Sequence, residues 1–147
     1  MEISEQLLKE IITKVVVELK VHEEPIVKHK DESGVIAVQA RTVCPEPFDT
    51  GKKGDKVFLT DLLTLEESPR IGCGIMEMDQ SHFEWTLNYD EIDYIIEGEL
   101  EIIINGNTIR GEKGDVIFIP KNSDIIFSSP GFARFLYVVY PANWQQQ

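Results

Sequence analysis

The spacing of apolar residues divides the chain into two unlike parts. Over residues 1–20 the apolar positions recur at helical spacing and form a broad stripe along one side of a predicted helix. The stripe consists of Leu7, Leu8, Ile11, Ile12, Val15 and Leu19. Residues 21–34 are polar and contain Pro25 and Gly34, a composition that predicts a linker. The first part is therefore an amphipathic helix followed by a polar connecting segment.

From residue 35 onward the apolar residues come in short runs that are separated by turn-forming residues. These runs predict strands at residues 35–40, 57–63, 71–78, 82–87, 91–97, 99–104, 107–110, 115–119, 124–128 and 132–140. The pair Asn105-Gly106 predicts a two-residue hairpin turn, because both residues tolerate positive φ. Many short strands without a second helical period favour an antiparallel sandwich or a closed barrel. We therefore expect one all-β domain over residues 35–147.

Charge and composition narrow the classes of function. The 147 residues include 14 Lys and Arg against 26 Asp and Glu, which gives a formal net charge of −12. A nucleic-acid or anionic membrane surface needs clustered basic residues, so neither partner is expected. Two cysteines are too few for a disulfide framework, and the N-terminus does not resemble a secretory signal. The expectation is a cytoplasmic protein with one domain and a short appendage.

A run of acidic residues marks the middle of the chain. Residues 84–101 contain seven Asp or Glu and no Lys or Arg. In an alternating strand Glu91 and Asp93 share one face, roughly 6–7 Å apart, where they can share a cation such as Mg²⁺ or raise each other's pKa. Alternation leaves open whether this face points to the interior or to solvent. An interior site would also take in three residues of the preceding strand, Glu84, Thr86 and Asn88.

A second motif is Gly114-Asp115-Val116-Ile117-Phe118-Ile119-Pro120, in which a glycine and a proline enclose an apolar strand. Together with Glu91 through Gly98 it resembles the two motifs of the cupin family, which are small jelly-roll β-barrels. The resemblance places Glu91 at the position of the metal-ligand glutamate. The cupin histidine positions are taken here by Glu84 and Thr86, or by Trp85 and Leu87, and by Ile125. Without imidazole ligands we expect no tightly bound transition metal.

Two further segments narrow the resemblance to one family. The segment from Trp85 through Asp93, with Glu-Gly-Glu-Leu after it, and the segment from Phe135 through Trp144 are similar to the EutQ family of ethanolamine-utilisation proteins. The resemblance implies a role in bacterial ethanolamine catabolism, in association with a protein-shelled microcompartment. It also implies an acetate kinase activity with ATP and Mg²⁺. The implied fold is a cupin jelly-roll barrel with an N-terminal helical extension.

The resemblance and the residue chemistry together give a set of candidate site residues. We expect Glu91 and Asp93 to be catalytic and able to hold Mg²⁺. Lys121 follows Pro120 near the predicted barrel mouth, so it is our candidate for the positive charge that phosphoryl transfer needs. The sequence lacks the glycine-rich phosphate loop of many nucleotide-binding proteins. A pocket for a small carboxylate or a nucleotide is predicted from Glu84, Trp85, Thr86, Asn88, Tyr89 and Tyr137.

Three classes of function stay open at this point. The first is an enzyme of the acetate kinase type. The second is a metal-free cupin that binds a small molecule, and the third is a structural protein of the microcompartment. Exposed sheet edges favour a homodimer through the β-domain. The helix over residues 1–20 is too short to be stable alone, so it is expected to dock on the barrel, on a second subunit or on a shell protein.

Overall fold

The N-terminal segment forms an α-helix, as its spacing predicts. The computed structural model describes residues 4–22 and 26–147, with helix side chains as far as residue 14. Helix α1 spans Glu5–His22. The Ser4 Oγ accepts a hydrogen bond from the Leu7 N–H at 3.1 Å, so Ser4 caps the first turn. The predicted helix start at residues 1–3 and the predicted linker at residues 23–25 lie outside the described residues.

The apolar stripe of α1 faces solvent over its described part. Leu7, Leu8, Ile11 and Ile12 are between 46% and 53% exposed. The two other predicted members of the stripe fall where side chains are not described. Within the described residues the barrel therefore does not cover this face. The described helices include none that is both long and apolar enough to cross a membrane.

Nine strands occur in the described part of the chain. They are β1 Lys28–Lys30, β2 Ile36–Val38, β3 Glu46–Pro47, β4 Val57–Asp61, β5 Gly72–Leu87, β6 Asp90–Ile104, β7 Asn107–Glu112, β8 Val116–Ile119 and β9 Ser123–Tyr140. Strands β1 and β2 form a ribbon, and the others form one sheet in the order β3-β4-β5-β9-β6-β7, with β8 also paired to β6. The predicted Asn105-Gly106 turn joins β6 to β7, and both residues have positive φ. The predicted all-β architecture with an N-terminal helix is confirmed.

Part of the predicted linker forms a strand. Strand β1 lies within residues 21–34, and it pairs with β2 in antiparallel register. The Lys28 Nζ donates a hydrogen bond to Glu67 Oε1 at 2.6 Å, and both side chains are largely buried. This contact ties the ribbon to the loop after β4. The apolar pattern gave no sign of β1, because Lys-His-Lys contains no alternation.

Three of the strands are longer than the pattern predicts. Each of β5, β6 and β9 joins two predicted strands into one, because the residues between them continue the pairing. Strand β5 joins the predicted strands at 71–78 and 82–87 through a bulge at Gln80, whose φ is 45°. Strand β6 likewise continues through irregular pairing around Gly98, whose φ is 75°. A bulge bends a strand and increases its twist. Each long strand can therefore curve around the barrel instead of ending.

Alternate residues of the long strands fill the barrel interior. The core includes Met76, Met78, Phe83, Leu87, Ile95, Leu100, Phe127 and Phe135. A smaller cluster around Val43, Leu62 and Ile75 packs under the segment that follows β2. Inward and outward positions alternate along a strand, so the phase of each strand decides which polar residues enter the interior.

Candidate active site

Glu91 and Asp93 face the interior of the barrel. Along β6, Glu91, Asp93 and Ile95 are 5%, 0% and 0% exposed, whereas Ile92 and Tyr94 are 44% and 45% exposed. This end of β6 therefore turns its acids inward and its apolar residues outward. The structure answers the question that alternation alone left open, because both carboxyl groups lie inside.

Neither carboxyl group has the partners that a buried charge needs. Glu91 lies opposite Ile119 of β8 and Val139 of β9, and Asp93 lies opposite Tyr137 of β9. Among the described residues, no N–H or hydroxyl donor hydrogen-bonds to Glu91 Oε2 or to either Asp93 carboxyl oxygen. An ionised carboxylate without such donors is strongly disfavoured in an apolar interior.

The two acids hold protons instead of two negative charges. Burial raises the pKa of Glu91 from 4.5 to about 7, although the hydrogen bond from Asp93 acts in the opposite direction. Burial first, and the charge of Glu91 second, raise the pKa of Asp93 well above its ordinary value. The pair therefore resists carrying two negative charges and keeps protons to higher pH than solvated carboxyl groups do. Such a pair can take up or release one proton at physiological pH.

An aromatic cavity lies beside Glu91. Its wall includes Phe48, Phe83, Trp85, Tyr89, Tyr137 and Trp144. Among the described lining residues Glu91 alone carries a carboxyl group, and none carries a basic group. The cavity is so narrow that it accommodates about one water molecule. The cavity as it stands suits a very small ligand.

Tyr137 lies between the acid pair and a surface carboxylate. Asp61 of β4 pairs with Gly74 of β5, Gly74 pairs with Tyr137, and Tyr137 pairs with Asp93. The Tyr137 hydroxyl donates a hydrogen bond to Asp61 Oδ1 at 2.6 Å, and Trp144 Nε1 donates to the same oxygen at 3.3 Å. The phenol reaches across β5 because Gly74 has no Cβ, which would overlap the hydroxyl. Burial, with the Asp61 charge, raises the pKa of Tyr137, so the phenol stays neutral.

Trp85 and Tyr89 hold each other in place at the cavity wall. The Trp85 Nε1 donates a hydrogen bond to the Tyr89 hydroxyl oxygen at 2.7 Å. Burial, and then the Glu91 charge, raise the pKa of Tyr89. Trp85 also makes edge-to-face contacts with Phe48 and Trp144, at ring-centroid distances of 5.8 and 6.2 Å. Of the predicted pocket residues, Trp85, Tyr89 and Tyr137 thus line the cavity.

The other three predicted pocket residues lie on the outer surface. The residues of this stretch that point inward are Phe83, Trp85, Leu87 and Tyr89, so Glu84, Thr86 and Asn88 are exposed. The Thr86 hydroxyl donates a hydrogen bond to Asp124 Oδ1 at 2.6 Å, and Asn88 Nδ2 donates to the Gln147 carbonyl at 3.2 Å. The prediction that these three residues lie beside Glu91 and Asp93 is therefore wrong, because their side chains point to the outer face of the barrel.

Lys121 is exposed and does not line the cavity. It lies in the turn after β8, where its backbone N–H donates a hydrogen bond to Asp90 Oδ1 at 2.8 Å.

Two residues at the site are distant from Glu91 in the sequence, and the sequence pattern did not predict them. Phe48 and Asp61 lie far upstream of Glu91 and reach the site through the pairing of β3, β4 and β5.

The donor set does not fit a metal ion. The described residues contain no group of three or more His, Cys, Asp or Glu that could hold one. Mg²⁺ keeps several water ligands when it is bound by one or two carboxylates. A cavity with room for about one water molecule has no space for that shell. Mg²⁺ on Glu91 and Asp93 thus does not fit the cavity as it stands, and the expected lack of a tightly bound transition metal stays a prediction.

The barrel and its motifs define a cupin. The strand from Glu91 through Gly98 and the strand that ends before Pro120 pair with each other beside the cavity. A solved cupin superfamily protein from Desulfitobacterium hafniense DCB-2 is similar with a TM-score of 0.57, at 16% identity, over 80% of this chain and 98% of that chain. This likeness shows the fold. Residues 2–146 match the family described as ethanolamine utilisation protein EutQ, and the chain belongs to that family.

Curated relatives and a solved structure agree with this membership. A Clostridioides difficile (strain 630) protein named acetate kinase EutQ is 53% identical over 124 residues, which cover 82% of this chain and 79% of that protein. A Salmonella typhimurium LT2 protein of the same name is 46% identical over 114 residues, 78% of this chain but 49% of that protein. The solved Clostridium difficile EutQ protein is similar with a TM-score of 0.81, at 53% identity, over 83% of this chain and 91% of that chain. The matched region spans about half the length of the Salmonella relative.

Proposed function

We propose that this chain catalyses the acetate kinase reaction within ethanolamine utilisation, passing a phosphoryl group between ATP and acetate. Two supporting relatives, 53% and 46% identical to the chain, are named acetate kinase EutQ. The family itself is described as an ethanolamine utilisation protein. The activity is extended to this chain as a proposal, since the match covers 79% and 49% of the lengths of those two relatives.

The buried carboxyl oxygen Oε2 of Glu91 is the observation that carries this proposal. Glu91 lines the cavity, and its Oε2 has no donor among the described residues. When the Glu91–Asp93 pair holds its full set of protons, an acid of the pair can donate a hydrogen bond to the carboxylate of acetate. The aromatic side chains would have to move apart to admit acetate, since the cavity as it stands has room for about one water molecule, and they would then cover its methyl group. The role of this chain's own residues is to bind and orient the small acid and to exclude water.

ATP and Mg²⁺, which this reaction uses, do not fit inside the cavity. A nucleotide is far larger than the available space, and no basic side chain lines the described wall. We therefore propose that the phosphates lie outside, where lysines can offset their charge. Lys121 follows the strand that pairs with Glu91. Lys52 Nζ lies 3.2 Å from Nε2 of His82, which is adjacent in sequence to the cavity residue Phe83.

We expect Glu91→Gln to lower kcat/KM for ATP-dependent formation of acetyl phosphate by about 100-fold or more. The amide keeps the shape of the side chain but cannot share a proton with Asp93, so the protonated acid pair that would hold the carboxylate of acetate is lost. The assay is the steady-state rate of the purified full chain, with acetyl phosphate trapped as the hydroxamate. The matched control is Glu84→Gln, an exposed position on the preceding strand, which should leave the rate unchanged. Absence of turnover in the parent chain, or equal turnover by Glu91→Gln, would contradict the proposal.

A metal-free cupin that binds a small metabolite is the second candidate. The cavity favours it, because its wall is aromatic and its described lining contains neither a metal-ligand set nor a basic residue. Under this function a small ligand would raise the melting temperature while no acetyl phosphate forms. The hydroxamate assay therefore distinguishes the two candidates directly.

We also propose that α1 docks on another protein of a microcompartment, with which the chain would associate. The support is the exposed apolar stripe formed by Leu7, Leu8, Ile11 and Ile12, which the described part of the barrel does not cover. A helix of this length gains most of its stability from burial of an apolar face. The homodimer through the β-domain stays a prediction.

Removal of residues 1–22 is expected to leave the melting temperature of the barrel within about 2 °C of the parent value. The reason is that the described helix side chains make no part of the core. The same deletion should abolish co-purification with the compartment. Thr13→Glu, on the polar side of the helix, is the matched control and should retain co-purification. A fall of about 10 °C or more on deletion would show instead that the helix belongs to the fold.

A further inference from the structure

An outer cleft adjoins the aromatic cavity, and Trp144 separates the two. The cleft has a volume of about 420 Å³ and opens to solvent. Its lining comes from the start of β1, the end of β4 with the loop after it, and the segment after β9, and it includes Ile26, Lys28, Asp61, Leu65, Asn143 and Gln146. Among the described residues Trp144 alone lines both spaces. The indole is therefore the partition between a space for about one water molecule and a cleft of a size usual for small-ligand sites.

Few contacts hold Trp144 in place. The residue is 6% exposed and begins a one-turn 3₁₀ helix that is not part of the sheet. Its indole packs against the rings of Trp85, Tyr89 and Tyr137, at centroid distances of 5.7 to 6.2 Å. Its Nε1 donates a hydrogen bond to Asp61 Oδ1 at 3.3 Å, which is longer than usual. Because this short helix is outside the sheet, the indole can move without breaking the pairing of any strand.

The other rings of the wall are attached more firmly. Phe127 and Tyr137 lie on β9, which pairs with β5 on one side and with β6 on the other. Phe83 and Trp85 lie on β5, opposite β9. A large displacement of any of these four rings would disrupt the hydrogen bonds of the sheet. Phe48 follows the two-residue strand β3 at the sheet edge, but its backbone N–H is hydrogen-bonded to β4 at 2.9 Å and it does not line the outer cleft.

We propose that Trp144 is a movable partition that Asp61 holds closed, and that its displacement joins the aromatic cavity and the outer cleft into one binding site. The space that the indole vacates admits a short-chain carboxylic acid beside Glu91. The carbon chain of the acid then extends toward the cleft, so Trp144 also limits the chain length that the site accepts. Trp144 is thus a specificity-determining residue and Asp61 a positioning residue. The inference rests on the proposed function for the identity of the ligand, but not for the movement itself.

Fluorine NMR of the full chain labelled with 5-fluorotryptophan tests the movement. The chain contains two tryptophans, so Trp85 and Trp144 give one resonance each, and Trp144→Phe assigns them. We expect Asp61→Ala to shift the Trp144 resonance toward the position of free 5-fluorotryptophan. Asp61→Asn keeps an acceptor oxygen for the indole and should retain the parent spectrum. The matched control Asp124→Ala removes an exposed carboxylate of the outer surface and should leave the resonance in place. An unmoved Trp144 resonance in Asp61→Ala would overturn the proposal.

Binding of short-chain acids tests the joined site. In the parent chain, saturating sodium acetate should shift the Trp144 resonance in the same direction, because the acid enters only when the partition moves. Trp144→Ala should tighten the binding of butanoate, measured by calorimetry, by about tenfold or more, since cavity and cleft are then joined permanently. Gln146→Ala, an exposed position on the same short helix, should leave this affinity unchanged. Acetate binding without a shift of the resonance would refute the partition, and so would a gain for butanoate in Phe48→Ala but not in Trp144→Ala.

Acetyl phosphate formation by the same preparations separates this inference from the proposed function. Turnover in a chain whose Trp144 resonance is unmoved by acetate and by Asp61→Ala would refute the partition alone. A shift of that resonance in Asp61→Ala, in a chain that forms no acetyl phosphate, would support the partition and refute the acetate kinase proposal alone.

Discussion

We expect Gly74→Ala to lower the free energy of unfolding by about 3 kcal/mol, a large effect for a single methyl group. A Cβ at this position would overlap the hydroxyl and the Cζ carbon of Tyr137 and would lie 2.6 Å from the Thr60 carbonyl oxygen. The Thr60 oxygen belongs to the neighbouring strand of the sheet and cannot move away alone. Tyr137 would have to leave Asp61, so the hydrogen bond at 2.6 Å between them would be lost as well. Denaturant unfolding followed by circular dichroism measures the change.

Gly131→Ala is the matched control for this experiment. A Cβ at Gly131 would meet no heavy atom within 4 Å, so the free energy of unfolding should change by less than about 0.5 kcal/mol. If the two alanine variants were equally stable, the close approach of Tyr137 to the backbone of β5 would not be a property of the folded chain.

The strand pattern was predictable from the sequence because alternation and turn residues are local signals. The Asn105-Gly106 hairpin and the start of nearly every barrel strand follow from that pattern. The continuity of the long strands was not predictable in the same way. Gly98 has a positive φ, as a turn glycine does, yet it lies within β6 because both flanking segments pair with β9. A bulge and a turn look alike in sequence, and only the distant partner strand distinguishes them.

The acid pair was predictable as a pair but not as an interior one. The spacing places Glu91 and Asp93 on one face of the strand. The apolar residues Ile92 and Tyr94 lie on the other face, which could equally well have faced the core. Sequence rules favour apolar residues inside, and this end of β6 does the opposite. The residue that settles the phase is Ile95, which is 0% exposed and directly continues the acidic face.

The alternation along the preceding strand β5 does predict which of its side chains point outward. Its aromatic and aliphatic residues alternate without exception from Phe83 to Tyr89, so hydrophobic alternation alone would have placed Glu84 on the outer face. Asp61 gave no local signal. Its role depends on the register across β4, β5 and β9 and on the missing side chain at Gly74, neither of which is visible in a single segment.

Two carboxyl groups inside a barrel oppose folding, so their presence indicates a role other than stability. For Glu91 the pKa in the folded chain, about 7, exceeds the ordinary value of 4.5, and the pKa of Asp93 is raised as well. At a pH between the ordinary pKa and the raised pKa of either group, the folded state holds more protons than the unfolded chain. Each group therefore costs no stability below its ordinary pKa, where both states are protonated, and the chain loses stability as pH rises from there toward the raised pKa. For Glu91 this loss is on the order of 3 kcal/mol between pH 4.5 and pH 7.

Asp93→Asn is therefore expected to make the chain more stable than the parent at pH 8, by about 2 kcal/mol or more, with a smaller gain at pH 5, closer to the ordinary pKa of an aspartic acid. The amide keeps the shape of Asp93 and can still donate a hydrogen bond to Glu91, but it removes the group that must hold its proton against the rising pH. Urea unfolding at pH 5, 6, 7 and 8 measures the slope of stability with pH, which should be shallower in the variant. Glu84→Gln removes one acid from the outer surface and controls for the change in net charge, so its slope should match that of the parent. Equal slopes for Asp93→Asn and the parent would mean that Asp93 titrates as a solvated acid, and the buried acid pair would then no longer explain the chemistry of this site.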